Sequence, residues 1–199
     1  MTKEKGSGKS VSEIAGFIET LIITFFLFML VFTYLISVTT VSGSSMEDTL
    51  LPGDKLIVSK IARDPDPGDI IIVEANDSVT LDSSGKPVYN TGICKTIVKR
   101  VIASEGQTID IDFERGAVYV DGSMLDETYV TKGLTHLDSG AFTGQYPVTI
   151  PEGFVFVMGD NRNVSKDSRS AEVGLIPLED ITGKAVLRIY PFSSFGAVD

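Results

Sequence analysis

Cysteine and histidine are nearly absent from this sequence, and their scarcity excludes several kinds of chemistry. Among the 199 residues there is one cysteine, Cys94, and one histidine, His136. A single cysteine cannot form an intrachain disulfide, and one thiol with one imidazole cannot build the usual ligand set of a zinc site. The sequence therefore predicts neither a metal nor a cofactor. Cys94 is interpreted as a half-buried strand residue that packs as a small hydrophobe, rather than as a nucleophile paired with His136.

Basic residues are also in the minority. Lysine and arginine number 17 against 27 aspartates and glutamates, which gives a formal net charge of −10 at pH 7. Because neutralising phosphates requires clustered lysine and arginine, we expect no nucleic-acid partner. Residues 1–41 carry three lysines and three glutamates, so the whole net charge belongs to residues 42–199.

One uncharged apolar run near the N-terminus is long enough to cross a membrane. Residues 20–41 contain no charged side chain, and as a helix they would extend about 33 Å, against a hydrocarbon core of about 30 Å. Ser10 and Glu13 have the spacing of a capping box just before this run, and we predict an anchor helix over residues 13–41. A cleavable signal peptide is the alternative. Its apolar region would be only about 7–15 residues long and would end at an Ala-x-Ala-like site, which Ser37-Val38-Thr39 matches poorly.

The flanking charges predict how the anchor is oriented. Lys3, Lys5 and Lys9 precede the apolar run, and the first basic residue after it is Lys55. Lysine and arginine near the ends of a membrane helix tend to stay in the cytoplasm. The sequence therefore predicts a single-pass protein of the cell membrane, in contact with the lipid bilayer. Residues 1–12 would be cytoplasmic and residues 42–199 would lie on the outer face.

The remainder of the chain is predicted to be all-β or mostly β. Short segments rich in β-branched and aromatic residues alternate with Gly, Asp and Pro turns, and long amphipathic helices of the α/β kind are missing. The predicted strands are residues 55–59, 69–73, 95–103, a hairpin over 107–120, 153–158 and 183–190. Residues 76–92 and 131–146 are polar and rich in Gly, Ser and Thr, and we predict loops there.

Three segments after the apolar run carry side chains suited to catalysis. The first is Ser45, because a serine flanked by small residues can sit on a tight turn with its hydroxyl beside exposed backbone N–H groups. The second is Lys99, which strand alternation places on the same face as Ile97 and Val101. Burial on that face would lower the pKa of its amine and allow it to accept a proton from serine. The third is residues 158–169, which are dense in hydrogen-bonding groups.

Each of these segments has an ordinary alternative when it is taken alone. A Gly-Ser-Ser segment after a membrane helix is more often a linker, a strand lysine is more often an edge charge, and a polar segment after a strand is more often a solvated turn.

Taken together and in this order, the segments resemble the type I signal peptidases, and the resemblance extends from the anchor to Tyr190. Four stretches carry the similarity. They are Gly43-x-Ser45-Met46-x-x-Thr49-Leu50, Gly53-Asp54-Lys55-Leu56-Ile57-Val58, Val98-Lys99-Arg100-Val101-Ile102, and Gly159-Asp160-Asn161-Arg162 with Ser165 and Asp167-Ser168-Arg169.

The resemblance implies a role for each matching residue. Ser45 would be the nucleophile and Lys99 the general base, and Ser165 would form a hydrogen bond with the lysine and orient it. The other implied residues are the supporting Gly159, the ion pairs Asp160–Arg100 and Asp167–Arg169, and the substrate-binding Ser44 and Met46.

Three positions depart from the family pattern. Asp48 stands where the family usually has proline, and residues 103–106 replace the commoner Gly-Leu-Pro-Gly-like turn. Gly43 stands where some members have a serine that stabilises the oxyanion, so the Ser45 backbone N–H would act with a hydroxyl of Ser42 or Ser44. A lysine base, rather than the histidine of endoplasmic-reticulum relatives, and the small size resemble the Gram-positive bacterial form.

The resemblance implies an antiparallel β-sheet protease domain over residues 42–199, in which residues 107–150 form a less catalytic insertion. The implied function is the removal of signal peptides from secreted preproteins on the outer membrane face. Two alternatives stay open. One is a signal-peptidase-like protein that assists pilus or surface-protein assembly with restricted or no proteolysis, and the other is a membrane-tethered β binding domain.

Overall fold

The computed structural model describes residues 7–47, 49–61, 64–131, 135 and 140–198. Among these residues one α-helix, α1, precedes twelve strands. They are α1 Ser7–Tyr34, β1 Ile36–Thr40, β2 Lys55–Ser59, β3 Ile70–Leu81, β4 Pro87–Ser104, β5 Thr108–Asp112, β6 Ala117–Val120, β7 Ser123–Met124, β8 Val148–Thr149, β9 Phe154–Met158, β10 Ile176–Pro177, β11 Ile181–Tyr190 and β12 Gly196–Ala197. Two short 3-10 helices, Leu178–Asp180 and Phe192–Ser194, flank β11. The predicted fold class, mostly antiparallel β with one N-terminal helix, is confirmed. The predictions about Asp48 and His136 lie outside the described residues.

The predicted end of the anchor helix at residue 41 is wrong. The helix ends at Tyr34, and Ile36–Thr40 forms β1, which pairs antiparallel with β2. The residues after the helix are mostly β-branched, and such side chains suit a strand when a partner strand is available. The segment Ser12–Tyr34 is still long and apolar enough to cross a membrane, with 23 residues and a mean hydropathy of 2.4.

Most strands belong to one large sheet, in which the order is β1-β2-β11-β3-β4-β9-β10, with β12 also paired to β11. The predicted strands at 55–59, 69–73, 95–103, 153–158 and 183–190 all lie in this sheet. Three clusters of buried apolar side chains pack within the domain. One of them joins β2, β3 and β11 to the segment that follows β1.

The loop predicted at residues 76–92 is also wrong. These residues lie largely in the outer halves of β3 and β4, which pair from Asp77↔Thr91 to Leu81↔Pro87. The Asp82 carboxylate accepts hydrogen bonds from the backbone N–H groups of Ser84 and Lys86 and closes the turn. A two-stranded ribbon exposes much of its surface, so its residues can be polar. The hydrophobicity pattern therefore did not predict these strands.

A smaller sheet has the order β7-β6-β5-β8. Its β5–β6 hairpin confirms the one predicted over 107–120. Apolar residues of this sheet, among them Ile109 and Val118, pack in one core cluster with Phe156 and Met158 of β9. The small sheet is therefore joined to the large one by a shared core.

Candidate active site

Ser45 lies on a turn a few residues after Thr40, where β1 ends. The Glu47 N–H donates to the Ser44 carbonyl at 3.2 Å, and the Leu50 N–H donates to the Met46 carbonyl at 2.8 Å. Met46 and Leu50 are buried in the core beneath the turn. Since these two apolar side chains hold the turn from below, the Ser45 side chain is directed to the partly exposed side.

Lys99 meets Ser45 from the middle of β4. Its Nζ lies 2.7 Å from Ser45 Oγ and donates to the Val98 carbonyl at 2.9 Å. The residue is only 3% exposed. Burial lowers the pKa of the Lys99 amine from 10.5 to about 8, although the negative charges of Asp167 and Asp160 act to raise it. About a tenth of the amine is therefore neutral at pH 7, and the neutral share rises steeply above it.

Arg100, the next residue of β4, fixes the base strand to the polar loop after β9. Its Nε and Nη2 donate to the two carboxylate oxygens of Asp160 at 2.9 and 2.8 Å, and both residues are buried. Thr49 Oγ1, four residues after the serine, donates to the same carboxylate. The predicted Arg100–Asp160 ion pair is thus present, and it also ties the serine turn to the base strand. Thr49 lay within the motif, but its contact with Asp160 was not foreseen.

The loop after β9 holds the serine turn through its backbone. The Asn161 N–H donates to the Ser45 carbonyl at 3.0 Å, and Asn161 Nδ2 donates to the Ser44 carbonyl at 3.1 Å. Gly159 lies against the Ser45 carbonyl. A Cβ added at Gly159 would be 2.4 Å from the Ser45 carbonyl oxygen and 2.3 Å from Ser165 Oγ. Only glycine allows this close approach of the two segments.

The second predicted ion pair braces the same loop. Arg169 Nε and Nη2 each donate to Asp167 at 2.8 Å, and both residues are fully buried. The Gly159 N–H also donates to Asp167. Burial acts to raise the pKa of Asp167, but the hydrogen bonds and charge of Arg169 outweigh it, so that the pKa is lowered.

Ser165 does not make the hydrogen bond that the resemblance implied. Its Oγ is buried and has no described hydrogen-bond partner by geometry, although it lies close enough to Asp167 to help lower the pKa of that carboxyl. The Lys99 amine instead contacts Ser45 and Val98. The hydroxyl lies beside Gly159 and close to the serine turn. The predicted hydrogen bond between Ser165 and Lys99 is therefore wrong for this structure, and an orienting role for Ser165 during the reaction stays a prediction.

A cleft of about 280 Å³ opens beside the two residues. It runs between the segment from Thr39 to Met46 and residues 95–99 of β4, and its lining includes Met46 but not Ser44. Each wall has a strand edge that is unpaired among the described residues. On one wall this edge belongs to β1, the outermost strand of the sheet. On the other it belongs to residues 95–99 of β4, because β9 pairs with β4 only from Arg100 onward. The cleft therefore has the form of a slot for an extended chain.

Sequence reasoning missed the contacts made by Glu127 and Tyr129. Both belong to the segment after β7, and they contact Arg162 and Arg100 next to the serine and lysine. No local pattern marked them, since they lie in a short irregular segment. Within the described part of the chain, no group of three or more His, Cys, Asp or Glu side chains could hold a metal ion.

The arrangement can perform the chemistry of a serine hydrolase in which lysine replaces the usual histidine. A profile of the family described as "Signal peptidase, peptidase S26" matches residues 14–190, and the chain belongs to this family. It is 36% identical over 162 residues to "Probable signal peptidase I-1" of Synechocystis sp., covering 78% of this chain and 72% of the relative.

Two further similarities were found. The chain is 29% identical over 197 residues to signal peptidase IB of Staphylococcus aureus, covering 92% of this chain and 93% of the relative. The crystal structure of a signal peptidase I from Enterococcus faecalis has 24% sequence identity and a TM-score of 0.42, covering 60% of this chain and 95% of that one.

Proposed function

We propose that this protein is a membrane-anchored serine endopeptidase that removes N-terminal signal peptides from secreted preproteins. The observation that carries the proposal is the buried Lys99 amine, 2.7 Å from the Ser45 hydroxyl, in a chain of the signal peptidase family. The alternative role in pilus or surface-protein assembly has no observation in its favour.

In the proposed reaction, Ser45 Oγ attacks the carbonyl carbon of the scissile peptide bond. The neutral Lys99 amine accepts the hydroxyl proton, and the resulting ammonium then donates it to the leaving amine as the peptide bond breaks. Water, deprotonated by the same amine, attacks the acyl-enzyme, and the resulting ammonium returns the proton to Ser45 Oγ as the acyl bond breaks. The lowered pKa of Lys99 supports this role, since an amine with a pKa of about 8 can both accept and donate a proton near neutral pH.

The oxyanion that forms in this reaction needs donors beside Ser45 Oγ. The Ser45 N–H makes no backbone hydrogen bond among the described residues and is one candidate. Ser42 lines the cleft and Ser44 does not, which favours the Ser42 hydroxyl as the second donor. A Cβ on Gly43 would meet nothing within 4 Å, so a serine at that position could supply a further hydroxyl.

The cleft supports binding of the substrate as an added strand between β1 and residues 95–98 of β4. Main-chain hydrogen bonds would supply affinity, and alternate side chains would enter small pockets. Residues 69–73 do not offer such an edge, because β3 is paired on both sides, with β4 and with β11. We expect small residues one and three positions before the cut. Efficient cleavage after phenylalanine would contradict the small pockets, and indifference to N-methylation of every bound amide would contradict the added strand.

The apolar helix supports a single-pass anchor in the cell membrane. Its side chains are exposed along Ser12–Tyr34, as expected if lipid surrounds it. The lysines before the helix favour a cytoplasmic N-terminus, with the β domain on the outer face. Protease protection of an epitope at each end of the protein, in sealed vesicles of known orientation, tests this topology.

The function is tested with the purified full-length protein in detergent and a preprotein that carries alanine one and three residues before the cut. We expect cleavage by the wild type and none by Ser45→Ala or Lys99→Ala, because nucleophile and base act as one unit. Lys86→Ala, at an exposed site in the β3–β4 ribbon, is the matched control and should cleave normally. Retention of a substantial fraction of wild-type activity by Lys99→Ala would mean that another group is the base.

A further inference from the structure

A segment of the small sheet reaches into the surroundings of the serine–lysine pair. Residues 125–130, which we call the strap, follow β7, and the Leu125 N–H donates to the Val118 carbonyl of β6 at 2.9 Å. From this base the strap projects two side chains, Glu127 and Tyr129, toward the loop after β9. The insertion at residues 107–150 is thus in contact with the candidate site, although its sequence suggested a less catalytic part.

Glu127 neutralises a buried arginine of that loop. Arg162 is fully buried, and its Nη1 and Nη2 donate to the two carboxylate oxygens of Glu127. The same guanidinium donates through Nε to the Gly159 carbonyl at 3.0 Å and through Nη1 to Thr135 Oγ1. A buried guanidinium without a carboxylate would be strongly unfavourable, so the position of Arg162 depends on the strap.

Tyr129 lies over a second guanidinium. Its ring centre is 4.1 Å from Cζ of Arg100 and 6.0 Å from Cζ of Arg162. Its hydroxyl donates to Glu127 at 3.2 Å, so the two strap residues support each other. Arg100 is consequently held between the Asp160 carboxylate and the face of an aromatic ring, an arrangement that stabilises a desolvated cation.

Through these contacts the strap supports the segments that carry Ser45 and Lys99. Arg100 is the neighbour of Lys99 in β4. Arg162 holds the Gly159 carbonyl, and two residues after Gly159 the Asn161 N–H holds the Ser45 carbonyl. The strap is therefore one contact removed from the segments that carry the nucleophile and the base.

We propose that Glu127 and Tyr129 are positioning residues, and that the strap, by holding Arg100 and the loop after β9, fixes the distance between Ser45 and Lys99 and preserves the burial of the lysine amine. This inference rests on the proposed function, in which Ser45 and Lys99 are nucleophile and base. It predicts that catalysis depends on a segment of the small sheet that does not touch the reacting atoms.

The first test compares two Glu→Gln variants, each of which removes one negative charge and keeps the size of the side chain. In Glu127→Gln the Arg162 guanidinium loses its carboxylate, while Glu114→Gln removes the same charge from an exposed site of the small sheet and is the control. We expect Glu127→Gln to lower kcat about tenfold or more with KM within about twofold, because a displacement of about 1 Å can cost about 100-fold in rate. Glu114→Gln should match the wild type.

The second test separates the ring of Tyr129 from its hydroxyl. Tyr129→Phe keeps the ring over Arg100, so we expect activity close to that of the wild type. Tyr129→Leu removes the ring and should lower kcat as Glu127→Gln does. If Glu127→Gln fails to fold, this pair of variants decides the question.

The third readout is the pH dependence of kcat/KM. The charged groups that act on Lys99 are Asp160, Asp167 and Arg169, and the variants change none of them. If the strap preserves the burial of the amine through Arg100 and the loop after β9, loosening it should raise the pH of the acid limb toward the ordinary lysine value.

A purely structural strap would behave differently. Glu127→Gln and Tyr129→Leu would then lower the melting temperature but leave kcat and the acid limb unchanged at temperatures where the protein is folded. That outcome would overturn the proposal. Failure of the wild type to cleave any preprotein would instead overturn the proposed function, so the two failures are distinguishable.

Discussion

The pH dependence of cleavage is the most direct consequence of the buried lysine. The neutral amine is the reactive form, so activity should rise with pH through the pKa of Lys99 in the folded enzyme. Burial lowers that pKa from 10.5 to about 8. At pH 7 about 10% of the amine would be neutral with a pKa of about 8, against about 0.03% with a pKa of 10.5, a difference of about 300-fold.

The assay is the steady-state cleavage of a preprotein or an extended peptide between pH 5 and 11, with the full-length protein in detergent. We expect the acid limb of kcat/KM to have an apparent pKa near 8. The quantity kcat/KM is the appropriate one because it reports groups of the free enzyme. Ser45→Ala should show no limb, which separates enzymatic cleavage from hydrolysis of the substrate at high pH.

An acid limb near 10.5 would refute the reasoning. It would mean that the Lys99 amine is solvated in the working enzyme, and that the burial seen beside Ser45 does not persist. A limb below pH 6 would point to a carboxylate as the base. A limb near 8 that persists in Lys99→Ala would assign the titration to another group.

Further predictions concern stability and the loop after β9. Lys99→Met should raise the free energy of unfolding below pH 8 by up to about 3 kcal/mol, because the lowered pKa in the folded state makes the buried ammonium costly there. The gain should vanish as the pH rises from about 8 to 10.5, and denaturant titrations of the detergent-solubilised protein at several pH values measure it. Gly159→Ala should lower kcat strongly, since its Cβ would lie 2.4 Å from the Ser45 carbonyl oxygen, and normal kcat in a folded variant would contradict that contact. Ser165→Ala should lower kcat more than it changes KM if the hydroxyl turns to Lys99 during the reaction. A large rise in KM with kcat intact would place Ser165 in substrate binding instead.

The sequence determined the parts of this protein that depend on local patterns. The anchor was visible as an uncharged apolar run, and strands such as β2 and β9 were visible as β-branched and aromatic segments between turns. The ion pairs Arg100–Asp160 and Asp167–Arg169 followed from the resemblance to the signal peptidases, because their residues lie in its motifs. In each case the information is contained in a few neighbouring residues.

Other features were decided by pairing between distant segments. The helix ends at Tyr34 because β2 offers a partner to Ile36–Thr40, and the polar residues 76–92 form strands because β3 and β4 pair with each other. At residues 76–92 the polar composition favoured a loop, and at residues 36–40 the uncharged run continued the predicted helix although its β-branched side chains suit a strand. Backbone hydrogen bonding to a partner strand outweighs weak local preferences of this kind.

The reactive geometry itself belongs to the tertiary structure. Ser45 and Lys99 are 54 positions apart, and the 2.7 Å between Oγ and Nζ follows from how the serine turn packs over β4 beside the polar loop after β9. The contact of Glu127 with Arg162 spans 35 positions and had no counterpart in any motif. Residue types show which groups could react, whereas strand register and burial decide which of them meet and how strongly the pKa of Lys99 is lowered.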